Sequence, residues 1–72
     1  PDHDLLDKLK SLRKNLAKEA GIPPYFIFHD STLEAMADSQ PVTVTELKRI
    51  PGVGEAKLIR YGEAFLKVLR EH

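Results

Sequence analysis

Proline stops this chain three times. Pro23-Pro24, Pro41 and Pro51 each fix φ and remove a backbone donor, so no helix runs through them. Between these stops the apolar residues recur at three- and four-residue spacing. The 72 residues must therefore fold as a packed set of short helices. The only β-like run, residues 22–28, has no partner strand. A domain this small buries only about 60% of its unfolded surface and is stable by a few kcal/mol. There is no cysteine, hence no disulfide and no thiolate metal site. His3, His29 and His72 lie far apart and show no metal-ligand spacing. Helix packing has to hold the fold.

Residues 4–20 carry Leu5, Leu9, Leu12 and Leu16 as one apolar stripe, with Leu6 beside it. Asp4 is the expected N-cap and Gly21 the expected left-handed stop. At 100° per residue, Lys10, Lys14 and Lys18 form an outward stripe, with Arg13 on its flank. Residues 22–28, IPPYFIF, read as an extended or single-turn connector. Phe26, Ile27 and Phe28 are expected to pack inward in part. Residues 30–39 form a short helix capped by Asp30 or Ser31, with Ser31 and Glu34 matching a capping box. Leu33, Met36 and Ala37 give its buried face, and Pro41 closes it. Thr43 and Glu46 match a second capping box, with Val44, Leu47 and Ile50 inward. After Pro51-Gly52-Val53-Gly54, Ala56, Leu58 and Ile59 are expected inward. Gly62 is expected to break the chain before a last helix carrying Phe65, Leu66 and Leu69. The expected class is all-α: a compact five-helix bundle with a helix-hairpin-helix-like corner at residues 43–60.

Eleven Lys and Arg balance eleven Asp and Glu, whereas a dedicated nucleic-acid binder usually shows a basic excess. The distribution is uneven. Residues 21–40 hold three acidic side chains and no basic one, so any basic patch must be assembled from the two ends of the chain. No apolar run reaches the 18 residues of a membrane span, and no signal peptide is visible. The chain opens on Pro1, as expected of a single domain, residues 1–72, taken from a longer protein.

No serine or cysteine is paired with a histidine in a catalytic motif, and no P-loop or dinucleotide fingerprint occurs. No catalytic residue and no metal site is expected. Binding is the remaining chemistry, and three features bear on it. In the Gly52-Val53-Gly54 corner, glycines let backbone approach a phosphate, and the following helix N-terminus adds partial positive charge. Lys57 and Arg60 on that helix could add phosphate contacts. Equally, the corner is a tight turn with Val53 plugging the core. Tyr25, behind a rigid diproline, is either a stacking platform for bases or a half-buried core residue. The Lys10, Arg13 and Lys14 surface is either a phosphate-binding face or a solvated one.

The order of a Leu-rich basic helix, IPPYFIFHDSTLEAMA and PVTVTELKRIPGVGEAKLIRYGEAFLKVLRE closely resembles the HRDC domain, the helicase-and-RNase-D C-terminal module. The version in bacterial RecQ DNA helicases is the most similar. PPYFIF-x-D-x-TL, ELKRIPGVG and K-x-x-RYG carry the resemblance over nearly the full length. It implies a five-helix bundle that serves a helicase as an accessory module for single-stranded or partly duplex DNA. It points to Tyr25 for single-strand contact; Lys10, Arg13, Lys14, Lys57 and Arg60 are the candidate phosphate contacts beside it, and Gly52 and Gly54 secondary backbone contacts. It implies a monomer in the bacterial cytoplasm, nucleoid-associated, with no cofactor of its own; ATP and Mg belong to the parent motor. The same resemblance leaves room for a copy that contacts the helicase core or another protein through Asp30–Asp38. It also leaves room for an RNA-binding copy from a ribonuclease D.

Overall fold

A computed structural model describes residues 2–72. Four α-helices pack around one core: α1 (His3–Ala20), α2 (Asp30–Ser39), α3 (Val44–Lys48) and α4 (Glu55–Glu71). A single 3-10 turn, Pro24–Phe26, joins α1 to α2. The described residues contain no strand, as the periodicity requires.

Each helix end shows why it falls where it does. Asp2, not Asp4, caps α1: its Oδ1 accepts from Leu5 N at 3.0 Å, while Asp4 sits inside the first turn. Gly21 closes α1 with φ 69° and ψ 33°, a conformation that costs glycine little. The expected Ser31–Glu34 box does not form. His29 occupies the N-cap of α2 without a side-chain hydrogen bond, and the Asp30 carboxylate turns instead to Arg13, 2.7 Å away. The Thr43–Glu46 box does form. Glu46 N donates to Thr43 Oγ1 at 3.1 Å, and Glu46 Oε1 accepts from Val42 N and Thr43 N at 3.0 and 3.2 Å. That box starts a helix of only five residues.

The fifth expected helix is absent because α4 runs unbroken through Gly62. A glycine inside a helix costs about 1 kcal/mol relative to alanine. Here Leu58, Phe65, Leu66 and Leu69 hold the helix to the core on both sides of it. Gly62 is itself buried, and a Cβ there would meet Leu58 Cδ1 at 3.1 Å and Leu47 Cδ2 at 3.8 Å. The close neighbour is thus Leu58 of the same helix, while Leu47 of α3 would be at ordinary contact distance. Three inward assignments on α3 and α4 fail. Ile59 is 79% exposed beside the buried stripe of α4, Ala56 is exposed in its first turn, and Val44 lies at the open end of α3. Leu58 is half-buried.

The core joins all the helices. Leu5, Leu9, Leu33, Met36, Leu47 and Leu66 are fully buried, and each such side chain contributes about 1.5–3 kcal/mol. Leu12 and Leu16 complete the α1 stripe at its half-buried edge. Phe28 packs edge-to-face on Phe65 of α4, with ring centroids 5.0 Å apart. That contact ties the diproline connector to the last helix.

Three carboxyls are held below their ordinary range. Hydrogen bonds from the Val42 and Thr43 amides do this for Glu46, the Leu5 amide and then His72 for Asp2, and the Arg13 guanidinium for Asp30. A depressed folded-state value adds stability that is fully present above the unfolded-state value and is lost as pH falls through the folded one. Thermal stability is therefore expected to hold down to about pH 5 and to fall below about pH 4. Glu46→Gln retains an acceptor for the capping box but cannot titrate. Its melting temperature should lie below the parent's at neutral pH, where the carboxylate's extra stabilisation is missing, and the two curves should converge in acid; parallel acid limbs for the two proteins would count against this linkage.

Candidate nucleic-acid interface

Tyr25 stands on a short, stiff mount. Pro23 is extended at φ −63° and ψ 145°, and Pro24 opens the 3-10 turn. Phe26 N and Ile27 N donate to Pro23 O and Pro24 O, each at 3.0 Å. Ile27 and Phe28 are fully buried and anchor the far side of the turn. The turn drives Ile27 and Phe28 inward and leaves Tyr25 and Phe26 outside, 55% and 53% exposed. Phe26 therefore departs from its expected inward packing. The two outer rings meet edge-to-face with centroids 5.0 Å apart. On the other side, His29 presents its ring nearly parallel to Tyr25, at 6.4 Å and 24°.

Arg13 lies beneath this mount. Its Nη1 donates to Phe28 O at 2.9 Å and its Nη2 pairs with Asp30 Oδ1 at 2.7 Å. The side chain is only 12% exposed, and its buried Nε has no hydrogen-bond partner. Arg13 thus fastens α1 to the start of α2, and its guanidinium is engaged inside the fold. Of the candidate cations on α1, Arg13 is engaged within the fold, and Lys10 and Lys14 are set toward the surface. Lys10 lies close enough to help hold down the Asp30 carboxyl, after the larger effect of Arg13. Lys14 is one turn further along α1 and exposed. Among the described residues, neither lysine stands in an ion pair.

Arg13, Pro24, Tyr25, His29, Asp30 and Ser31 line an open depression of about 540 Å³. Thr32, the next residue of α2, belongs to the corner. Its buried hydroxyl donates to Pro51 O at 3.0 Å. The first turn of α2 therefore stands between the Tyr25 mount and the glycine corner, a proximity no linear spacing reveals.

The two corner glycines differ. Gly52 has φ 91°, and a Cβ built on it would collide with Thr32 Oγ1. Gly54 caps α4 at φ −79° and ψ 163°, ordinary extended backbone, and a Cβ there would meet nothing within 4 Å. The fold thus requires glycine at 52 and not at 54. Ile50 and Val53 are buried beneath the turn. Lys57 is half-buried and Arg60 exposed in the first turns of α4, and neither is ion-paired among the described residues.

Comparison with known proteins decides the family. Residues 2–69 match the HRDC domain. The chain belongs to the HRDC family. It is 44% identical over 71 residues to the ATP-dependent DNA helicase RecQ of Haemophilus influenzae, covering 99% of this chain and 12% of that protein. It is 42% identical over 69 residues to the RecQ helicase of Bacillus subtilis, covering 96% of this chain and 12% of that one. It is also 44% identical over 69 residues to the ATP-dependent DNA helicase UvrD2 of Mycobacterium tuberculosis, covering 96% of this chain and 10% of the relative. The chain thus spans about a tenth of these relatives' length. Among solved structures, the D. radiodurans RecQ HRDC domain 3 superposes with a TM-score of 0.93 at 40% identity, covering 97% of this chain and 92% of that one.

Within this HRDC fold, Phe26, His29 and Asp30 join the surface around Tyr25; the sequence marked neither Phe26 nor His29 as part of a site, and Asp30 only as part of an acidic protein-contact surface. The Arg13–Asp30 pair, 17 positions apart, left no sequence signal.

Proposed function

We propose that this HRDC domain is an accessory nucleic-acid-binding module of a RecQ-type ATP-dependent DNA helicase. It engages single-stranded or partly duplex DNA weakly and biases which DNA structures the parent engages in recombination and repair. The observation that carries the reading is Tyr25: more than half exposed, held by a rigid diproline turn, with the unpaired Lys10 and Lys14 on the adjacent helix. Stacking on such a ring tolerates any base. The relatives named as DNA helicases support the choice of parent. ATP and Mg act in the parent motor, in the bacterial cytoplasm, and the domain works as a monomer. Arg13 acts here by positioning the mount, while Lys10, Lys14, Lys57 and Arg60 supply phosphate contacts. Gly54, whose backbone is open, is the better of the two glycines for a backbone contact.

Fluorescence anisotropy with a short single-stranded oligonucleotide tests this. Affinity should be micromolar or weaker at low salt. If about three phosphates are neutralised, log K should fall against log salt with a slope near about −2. A slope near zero would remove the phosphate contacts. Absence of binding at low salt would favour a domain that contacts the helicase core or another protein.

A further inference from the structure

The depression beside Tyr25 has the wrong charge for a phosphate. Its one guanidinium, Arg13, is already held by Phe28 O and Asp30 Oδ1. Its one free ionic face is the Asp30 carboxylate, which is 65% exposed. Asp30 stays ionised at neutral pH, because the Arg13 hydrogen bond holds its carboxyl below the usual range. A carboxylate offers about four acceptor positions, and Arg13 occupies only the inner side. An incoming phosphate would therefore meet like charge. The lining suits a flat, neutral ring: Pro24, Tyr25 and the His29 ring, which lies 24° from parallel to Tyr25 at 6.4 Å, offer planar apolar surface to stack on. The volume, about 540 Å³, falls in the range of small-ligand sites.

We propose that this depression is a base-reading subsite that favours nucleobases with an exocyclic amino group over thymine, with Asp30 as the acceptor. The inference rests on the reading of Tyr25 as the single-strand platform and adds a preference to it. A ring stacked on Tyr25 directs one edge toward the start of α2, where Asp30 and Ser31 wait. Cytosine offers the N4 amino group there, and a carboxylate accepts from it. Thymine places the O4 acceptor at the same ring position, which the carboxylate repels, and keeps only its N3–H, one ring position away, as a donor. Adenine and guanine also carry amino groups, but their larger rings stack more strongly whatever Asp30 does. Cytosine and thymine, equal in ring size, isolate the hydrogen bond.

The test compares short oligo-dC and oligo-dT on the 72-residue chain by anisotropy at fixed salt. The expected result is about fivefold tighter binding of dC, the scale of one partly exposed hydrogen bond. Asp30→Asn should abolish the preference, since an amide can donate to O4 as readily as it accepts from N4. Should Asp30→Asn fail to fold, the ligand supplies the same test on the parent chain. Oligonucleotides of N4,N4-dimethylcytosine lack the donor and should bind like dT. Equal affinity of dC and dT, with both weakened by Tyr25→Ala, overturns the base preference and leaves the stacking platform standing. A dC preference that survives in folded Asp30→Asn, or with the dimethylated base, overturns it as well. Equal affinities that Tyr25→Ala does not weaken remove both readings.

Discussion

Gly52→Ala should destabilise the domain by about 3 kcal/mol, from two separable causes. The first is conformational. At φ 91° an L-residue carries strain of about 1–2 kcal/mol that glycine does not. The second is steric. The new Cβ meets Thr32 Oγ1, whose hydroxyl is held at 3.0 Å on Pro51 O in a residue only 4% exposed. Thr32 cannot rotate away without leaving a buried hydroxyl and the Pro51 carbonyl unpaired, which costs about 1–3 kcal/mol. In a domain of this length, about 3 kcal/mol lowers the melting temperature by roughly 12–24 °C. A double-mutant cycle separates the causes. Thr32→Ala removes the obstructing oxygen, so the two substitutions should couple by about 1 kcal/mol or more and leave only the backbone strain. Gly54→Ala is the control: ordinary backbone and open space predict a loss of well under 1 kcal/mol. If Gly52→Ala melts within a few degrees of the parent, the corner is not packed as described.

This contrast divides the Gly-x-Gly signal. Sequence spacing treats Gly52 and Gly54 alike, and both readings of the corner, phosphate grip and tight turn, are open at that level. Packing assigns the turn to Gly52 and leaves Gly54 without a structural reason.

The legibility of the rest follows the same line between local and non-local causes. The α1 stripe, the Gly21 stop and the Thr43–Glu46 box depend on residues within four positions of each other, and the sequence displays them. The break expected at Gly62 was a local rule overridden by tertiary packing, since Leu58, Phe65, Leu66 and Leu69 hold α4 to the core on both sides of it. The missing cap on α2 has a similar origin. Asp30 had a local role available and took a distant partner, Arg13. The same pair engages the guanidinium of Arg13, one of the candidate phosphate contacts. Sequence cannot separate a surface arginine from one that reaches a carbonyl 15 positions away. Tyr25 was legible as a candidate because the diproline fixes its surroundings locally. Its neighbours His29 and Asp30 became part of the surface only once the turn had folded.

Tyr25→Ala should weaken single-strand binding by about 1–3 kcal/mol, a factor of roughly 5 to 150. The domain should stay folded. The ring is 55% exposed, and its removal chiefly sacrifices the edge-to-face pair with Phe26. Such a pair contributes about 0.5–1.5 kcal/mol where it is buried and less at an exposed site like this one. Tyr25→Phe keeps the stacking face and should retain most of the affinity. Salt dependence then separates stacking from charge. Tyr25→Ala removes no cation, so log K should drop by the same amount at every salt concentration and the slope should stay near about −2. Lys10→Ala should instead flatten the slope by about 0.7. A folded Tyr25→Ala that binds as the parent does would end the stacking role. A changed slope for that variant would mean that the lysines are placed by the ring, and the surface would then act as one electrostatic unit in place of a platform with a charged border.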